Sequence, residues 1–158
     1  MRARAALAAA ALAALSGCGP RGAANLCGAI KVADVEEALG ASLQGESQQA
    51  ASLGPQIACA WSGQSPEGGA RTLALTVQRD SGAGAYDLAA EDLRARYTRV
   101  GTLADIGDAA IMGVGQADAT GFSGQIVARK GGDLLVLRID GRDPAAFEAV
   151  ARAAAQAM

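Results

Sequence analysis

The sequence predicts an α+β domain, with a mainly antiparallel sheet of about six strands flanked by three helices in the order α-β-β-β-α-β-β-β-α. Thr72 to Gln78 alternates strictly: Leu73, Leu75 and Val77 fall on one side, Thr72, Thr76 and Gln78 on the other. Segments 122–130 and 134–139 flank Gly131-Gly132-Asp133 and read as a hairpin. Three stretches carry apolar residues at helical spacing, and the strands between them are joined by hairpin links rather than βαβ alternation.

Each element has its own signal. In 31–39 the positions Val32, Val35, Ala38 and Leu39 form a helical stripe that Gly40 closes. Segment 42–50 is a weak, polar strand. Ile57 to Ser62 is a short strand with Cys59 and Trp61 two apart, hence on one face. Gly63, Pro66, Gly68 and Gly69 mark a turn-rich connection. Residues 85–97 are helical, with Tyr86, Ala90, Leu93 and Tyr97 as the buried stripe. Asp92 with Arg96 and Glu91 with Arg94 are expected to neutralise its outer face. That pairing favours a solvated face over an anion site at Arg94, Arg96 and Arg99. Ala109 to Met112 reads as a short strand. In the hairpin the inward sets are Ile126 with Ala128, and either Leu135 with Leu137 or Leu134 with Val136. Asp143 caps the last helix, Pro144 occupies its first turn, and Phe147, Val150, Ala154 and Met158 face the core.

Composition narrows the function. At 158 residues the chain fits one domain; 51% is hydrophobic but only 3% aromatic, so five aromatic rings and the branched aliphatics carry most of the packing. A formal charge of −2 argues against nucleic acid, whose phosphates require a basic face. Histidine is absent. That removes Ser-His-Asp and Cys-His catalysis, the common zinc sites and any imidazole switch. No cofactor motif is present. Gly113-Val114-Gly115 lacks the third glycine, the following helix and the Lys-Ser/Thr of a phosphate loop.

The first residues form a leader. Arg2 and Arg4 precede an unbroken Ala/Leu run from Ala5 to Leu15, about 16 Å of helix, roughly half of a hydrocarbon core. The run ends in Leu15-Ser16-Gly17-Cys18, which resembles the lipobox of bacterial lipoproteins. The resemblance implies cleavage before Cys18 and acylation of its thiol. Residues 1–17 are then a cleaved signal peptide, 18–25 a lipidated tether and 26–158 a single globular α+β domain. An ordinary secretory signal and a buried Ala-rich helix are the alternatives. Two or more acyl chains anchor a protein stably where one is marginal, and the acidic balance would not draw the domain to anionic lipid. Membrane association is therefore expected through the lipid alone, in the bacterial cell envelope. In a Gram-negative host Gly19 resembles an outer-membrane sorting residue, which gives the periplasmic face of the outer membrane. In a Gram-positive host the position is the outer face of the plasma membrane.

With Cys18 consumed by lipid, Cys27 and Cys59 remain, and an oxidising compartment favours their pairing. Closing that loop is worth about 3.5 to 4 kcal/mol on the chain-entropy model. A reactive cysteine, the alternative, lacks a histidine base. About eight peptide steps join Cys18 to Leu26, under about 30 Å when stretched and about 16 Å as a coil, so the domain sits close to the bilayer.

The set Cys27, then Cys59-Ala60-Trp61, then Leu103-Ala104-Asp105-Ile106-Gly107-Asp108-Ala109-Ala110, followed by a hairpin and a terminal helix, resembles families of small, uncharacterised bacterial lipoproteins best populated in actinobacteria, which read Cys … Cys-x-Trp … Gly-Asp-x-Ala. The resemblance implies an α+β sandwich somewhat like the PsbP-type fold, a disulfide and no established reaction.

Two polar segments are candidate sites. Asp105 and Asp108, three apart around Gly107, fit a hard-cation site or an acid and base. They equally fit a turn in which Asp108 binds backbone amides ahead of a strand. Calcium needs about six oxygens, and no Asp-x-Asp-x-Asp-Gly loop is present. Residues 113–124 read as a long, Gly-rich loop, with Gly113, Gly115, Gln116 and Asp118 as the candidate functional positions. The expected function is a membrane-anchored, non-catalytic binding or accessory module without catalytic or metal-ligating residues, monomeric, whose partner is an envelope protein or a small ligand. The alternatives are a hydrolase or metal-dependent enzyme using Asp105 and Asp108, and a purely structural envelope lipoprotein.

Overall fold

Seven strands make one sheet in the computed structural model, which describes residues 26–117 and 120–158, with the side chains at 44–49 and 117 left aside. The strands are β1 Ser42–Leu53, β2 Gln56–Gln64, β3 Ala70–Gln78, β4 Arg99–Leu103, β5 Ala109–Ala117, β6 Phe122–Lys130 and β7 Asp133–Gly141. The helices are α1 Val32–Leu39, α2 Ala83–Arg96 and α3 Pro144–Ala157, with a helical turn over 26–29 ahead of α1. The spatial order is β1-β2-β3-β7-β6-β5-β4, and each neighbouring pair is antiparallel. Two meanders, β1 to β3 and β4 to β7, thus meet where β3 pairs with β7, and α2 carries the chain from β3 to the far edge.

The class is α+β with a mainly antiparallel sheet, as the hairpin links predict. The detail differs from the expected six strands and three helices: a helical turn over 26–29 precedes α1, and β4 is an additional edge strand between α2 and β5. Arg99, Val100, Gly101 and Thr102 are all exposed, so no buried alternation announces it. Its strand character comes from pairing Arg99 to Leu103 with Val114 to Ala110 of β5.

The two faces of the sheet bury different cores. On one, α1, α3 and the 26–30 segment cover Trp61, Leu73, Leu75, Val77, Ile126, Leu135 and Leu137. Phe147 of α3 is fully buried there and meets Phe122 edge to face, ring centroids 6.1 Å apart. The N-cap expectation holds for α3: the Asp143 carboxylate accepts from the Ala145 and Ala146 amides at 2.8 and 3.1 Å. The Cys27–Cys59 disulfide, Cα atoms 5.7 Å apart, ties the 26–30 segment to β2 and is buried in the same cluster as Trp61. On the other face α2 lays Ala90 and Leu93 over Ile111 and Val127, with Tyr86, Tyr97, Leu134 and Val136 around them. Both alternative sets on β7 are therefore buried or half-buried, one in each core. Asp92 and Arg96 pair at 2.9 Å on the exposed side of α2, as their spacing predicts.

The sheet has two distinct ends. At the lower end the Pro55 carbonyl accepts from the Arg79 amide at 2.9 Å, and the Arg79 guanidinium reaches the Met158 carbonyl at 3.0 Å and the Asp133 carboxylate. Lys130 donates to the Ala155 carbonyl at 2.8 Å. Turn 54–55, the β3 to α2 connection, the β6 to β7 turn and the end of α3 are thus tied together. The upper end holds turn 65–69, the end of α1, the end of β7 and the start of β6. There the Arg142 amide donates to the Ala38 carbonyl at 2.8 Å and its guanidinium reaches Glu67 at 3.4 Å.

Candidate functional site

Residues 113–124 are not a long loop. β5 runs through Gly113, Gly115 and Gln116 to Ala117, and β6 begins at Phe122. The glycines that signal a loop here make room for a ring instead. A Cβ on Gly113 would lie 2.6 Å from Tyr97 Cδ2 and 2.9 Å from Leu93 Cδ2, and one on Gly115 would strike the Ser123 hydroxyl. Tyr97, just past the end of α2, therefore lies over a trough in β5 that only hydrogen side chains leave open. Gly113 is buried and Gln116 exposed. Asp118 and Cys18, the expected acylation position, lie outside the described residues.

Beside Gln116, at the upper end, lies an open polar depression of about 280 Å³ lined by Arg71, Gln116, Phe122, Ser123 and Asp140, with Thr120 and Gly121 at its rim. Arg71 organises it. Its side chain is only 12% exposed, and its guanidinium bonds Asp140 Oδ1 at 2.9 Å, the Gly141 carbonyl at 3.4 Å and the Thr120 carbonyl. Opposite charge and two carbonyls offset the desolvation of the cation, and the fork geometry lets one side chain hold three segments. The Asp140 side chain stays 60% exposed, so the depression presents one accessible carboxylate, a hydroxyl and an amide to solvent. Such a surface suits hydrogen-bonded recognition of a polar group. Arg71 escapes sequence reading because it lies at the start of β3, in phase with Leu73, Leu75 and Val77 but just before the alternation begins; only the antiparallel pairing of β3 with β7, which sets Asp140 opposite the adjacent Thr72, exposes the pair.

Neighbouring Glu67 is held below the ordinary carboxylate range by hydrogen bonds from its own backbone N–H and the Ser65 hydroxyl, with Arg142 and Arg71 adding to the effect. It remains an anion on the rim of the upper end.

Asp105 and Asp108 lie at the opposite, lower end. Asp105 and Gly107 take left-handed φ values of 61° and 63° on either side of Ile106, which is buried in the main core. A side chain at Gly107 would collide with the Arg129 carbonyl, so glycine is required on both counts. The Asp108 amide donates to the Arg129 carbonyl at 2.7 Å, and its carboxylate accepts from the Gly131 amide at 2.6 Å. The segment folds as a turn that plugs Ile106 into the core and clips the β6 to β7 hairpin. Among the described residues no group of three or more His, Cys, Asp or Glu is placed to hold a metal ion. Nor is any described helix long and apolar enough to cross a membrane.

Comparison of the chain with family models, curated proteins and solved structures returned no match.

Proposed function

We propose that this chain is a lipid-anchored protein of the bacterial cell envelope, a non-catalytic, disulfide-stapled module that binds an envelope component or a small ligand through the depression around Arg71, Gln116, Ser123 and Asp140. One observation carries the reading: a basic and apolar leader ends in Leu15-Ser16-Gly17-Cys18, about eight peptide steps ahead of Leu26, the first described residue, which is buried. The similarity to small bacterial lipoproteins through Cys27, Cys59-Ala60-Trp61 and Gly107-Asp108-Ala109-Ala110 supports it. The disulfide fits an oxidising compartment. A hydrolytic or metal-dependent role for Asp105 and Asp108 gains no support from their geometry, because the Asp108 carboxylate is engaged by a backbone amide.

The test is Cys18→Ser in cells. It should abolish palmitate labelling and move the domain from the membrane to the released fraction. Unchanged membrane fractionation refutes the anchor.

A further inference from the structure

Resting on the lipid-anchor reading, we infer that the domain stands on the bilayer by its lower end, with Leu53 and Val32 against the lipid surface and the Arg71 depression facing away. Residues 26–31, where the described chain begins, lead towards this end. Ala29 and Lys31 lie beside Ala153, Gln156 and Ala157, the last turn of α3. That turn is bonded to Lys130 at Ala155, and the carbonyl of Met158 to Arg79, whose amide in turn holds Pro55. The approach to α1, hairpin turn 54–55 and the close of α3 therefore share one end, a few residues past the point where the disulfide ties Cys27 to β2.

The same end carries two of the most exposed large aliphatic side chains in the described structure. Leu53, at the tip of the β1–β2 hairpin, is 74% exposed, and Val32, in the first turn of α1, is 50% exposed. Neither helps pack the domain. Eight peptide steps from Cys18 to Leu26 can reach no more than about 30 Å, which keeps this end within reach of the headgroups. An apolar side chain at the tip of a two-residue turn enters that zone without burying unpaired backbone amides beyond the turn itself. This end also carries the carboxylates of Asp34, Asp80, Asp105 and Asp108, set against the cations Lys31, Arg79 and Lys130, with Asp133 paired to Arg79; zwitterionic lipid presents no net charge to repel them.

The orientation fixes what a partner can reach. β2 runs from Gln56 at the lower end to Gln64 at the upper, about 26 Å at about 3.3 Å per residue. The Arg71 depression and turn 65–69 therefore stand roughly that much farther from the lipid, open to an envelope component approaching from the aqueous side. Asp105 and Asp108 face the bilayer.

The test uses the full acylated chain in vesicles of phosphatidylcholine and phosphatidylethanolamine doped with a nitroxide-labelled phosphatidylcholine. Leu53→Cys and Pro66→Cys each offer a single free thiol for an environment-sensitive fluorophore, since Cys27 and Cys59 are paired. The label at 53 should be quenched several-fold more strongly than the label at 66 and should emit at shorter wavelength. Equal quenching at both sites, or stronger quenching at 66, overturns the orientation while an intact mass carrying acyl chains leaves the anchor standing. A membrane-recovered product whose mass carries no acyl chain overturns the anchor and the orientation with it.

Discussion

The two faces of this sheet solve the same problem with different means. The face under α1 and α3 is filled with large side chains, Trp61, Phe147, Leu73, Leu135 and Leu137, and is fastened by a disulfide. The face under α2 has a smaller core, Ala90, Leu93, Ile111 and Val127, and gains close approach by removing atoms from β5 at Gly113 and Gly115. Beyond α2 it lies open: Ala74, Thr76, Val136 and Arg138 line a depression of about 230 Å³ on bare sheet. One side is stabilised by bulk, the other by fit. Bulk tolerates little truncation, because a large vacated volume cannot collapse; fit tolerates little addition.

That contrast can be broken from either direction. The largest effect is expected from Phe147→Ala, which removes the buried ring of α3 and its edge contact with Phe122. Chemical denaturation should show a loss of about 3 to 5 kcal/mol. Next come Cys27→Ser and Cys59→Ser, which should destabilise to similar extents, each by about 3.5 kcal/mol, because either change opens the same loop. A free-thiol assay finding both cysteines reduced in the native protein would contradict the pairing. On the opposite face the sensitive change is an addition. Gly113→Ala places a methyl against Tyr97 and should cost about 1 to 3 kcal/mol. A double-mutant cycle with Tyr97→Ala should recover most of that loss, and strict additivity would disprove the trough.

The smallest effect belongs to the lower-end clip. Burial alone would raise the Asp133 pKa, but hydrogen bonds from the Asp80 amide and the Arg79 guanidinium outweigh it and hold the carboxyl below its usual value. A carboxyl with a depressed folded-state pKa contributes its full stability above the unfolded value of about 3.9 and loses it as pH falls through the folded one. Asp133→Asn should therefore cost about 1 kcal/mol at pH 7, with the gap to the parent closing below about pH 4. A gap that widens on acidification would reverse the sign of the assignment.

How much of this was legible beforehand follows the same division. Helices α1 and α3 and strand β3 are written in periodicity, because each buries one stripe of side chains against the large core, and the β6–β7 hairpin is announced by Gly131-Gly132-Asp133 between two apolar runs. β4 is not, since an edge strand with four exposed residues shows no alternation and exists through its partner. Gly113 and Gly115 mislead for a related reason: a glycine that lets a chain turn and a glycine that lets a ring approach are identical in one dimension. The pair of leucines and the Leu-Val pair on β7 looked like rivals, and both are used because that strand is covered on each side. At the site, Asp105 to Asp108 was readable as a turn from its glycine, whereas Arg71 was not. Its meaning depends on Asp140, far along the chain and adjacent only across two strands.

The indole of Trp61 gives the protein an internal optical gauge. It is the sole tryptophan, 1% exposed, and shares its cluster with the bridge between Cys27 and Cys59. Sulfur bridges drain excitation from nearby indoles, so the native emission should be dim and blue. Reduction without unfolding should brighten it at constant colour, while unfolding should shift it to the red. Intensity and wavelength thus report two separate events, and the covalent fastening can be followed apart from the packing around it without attaching any dye.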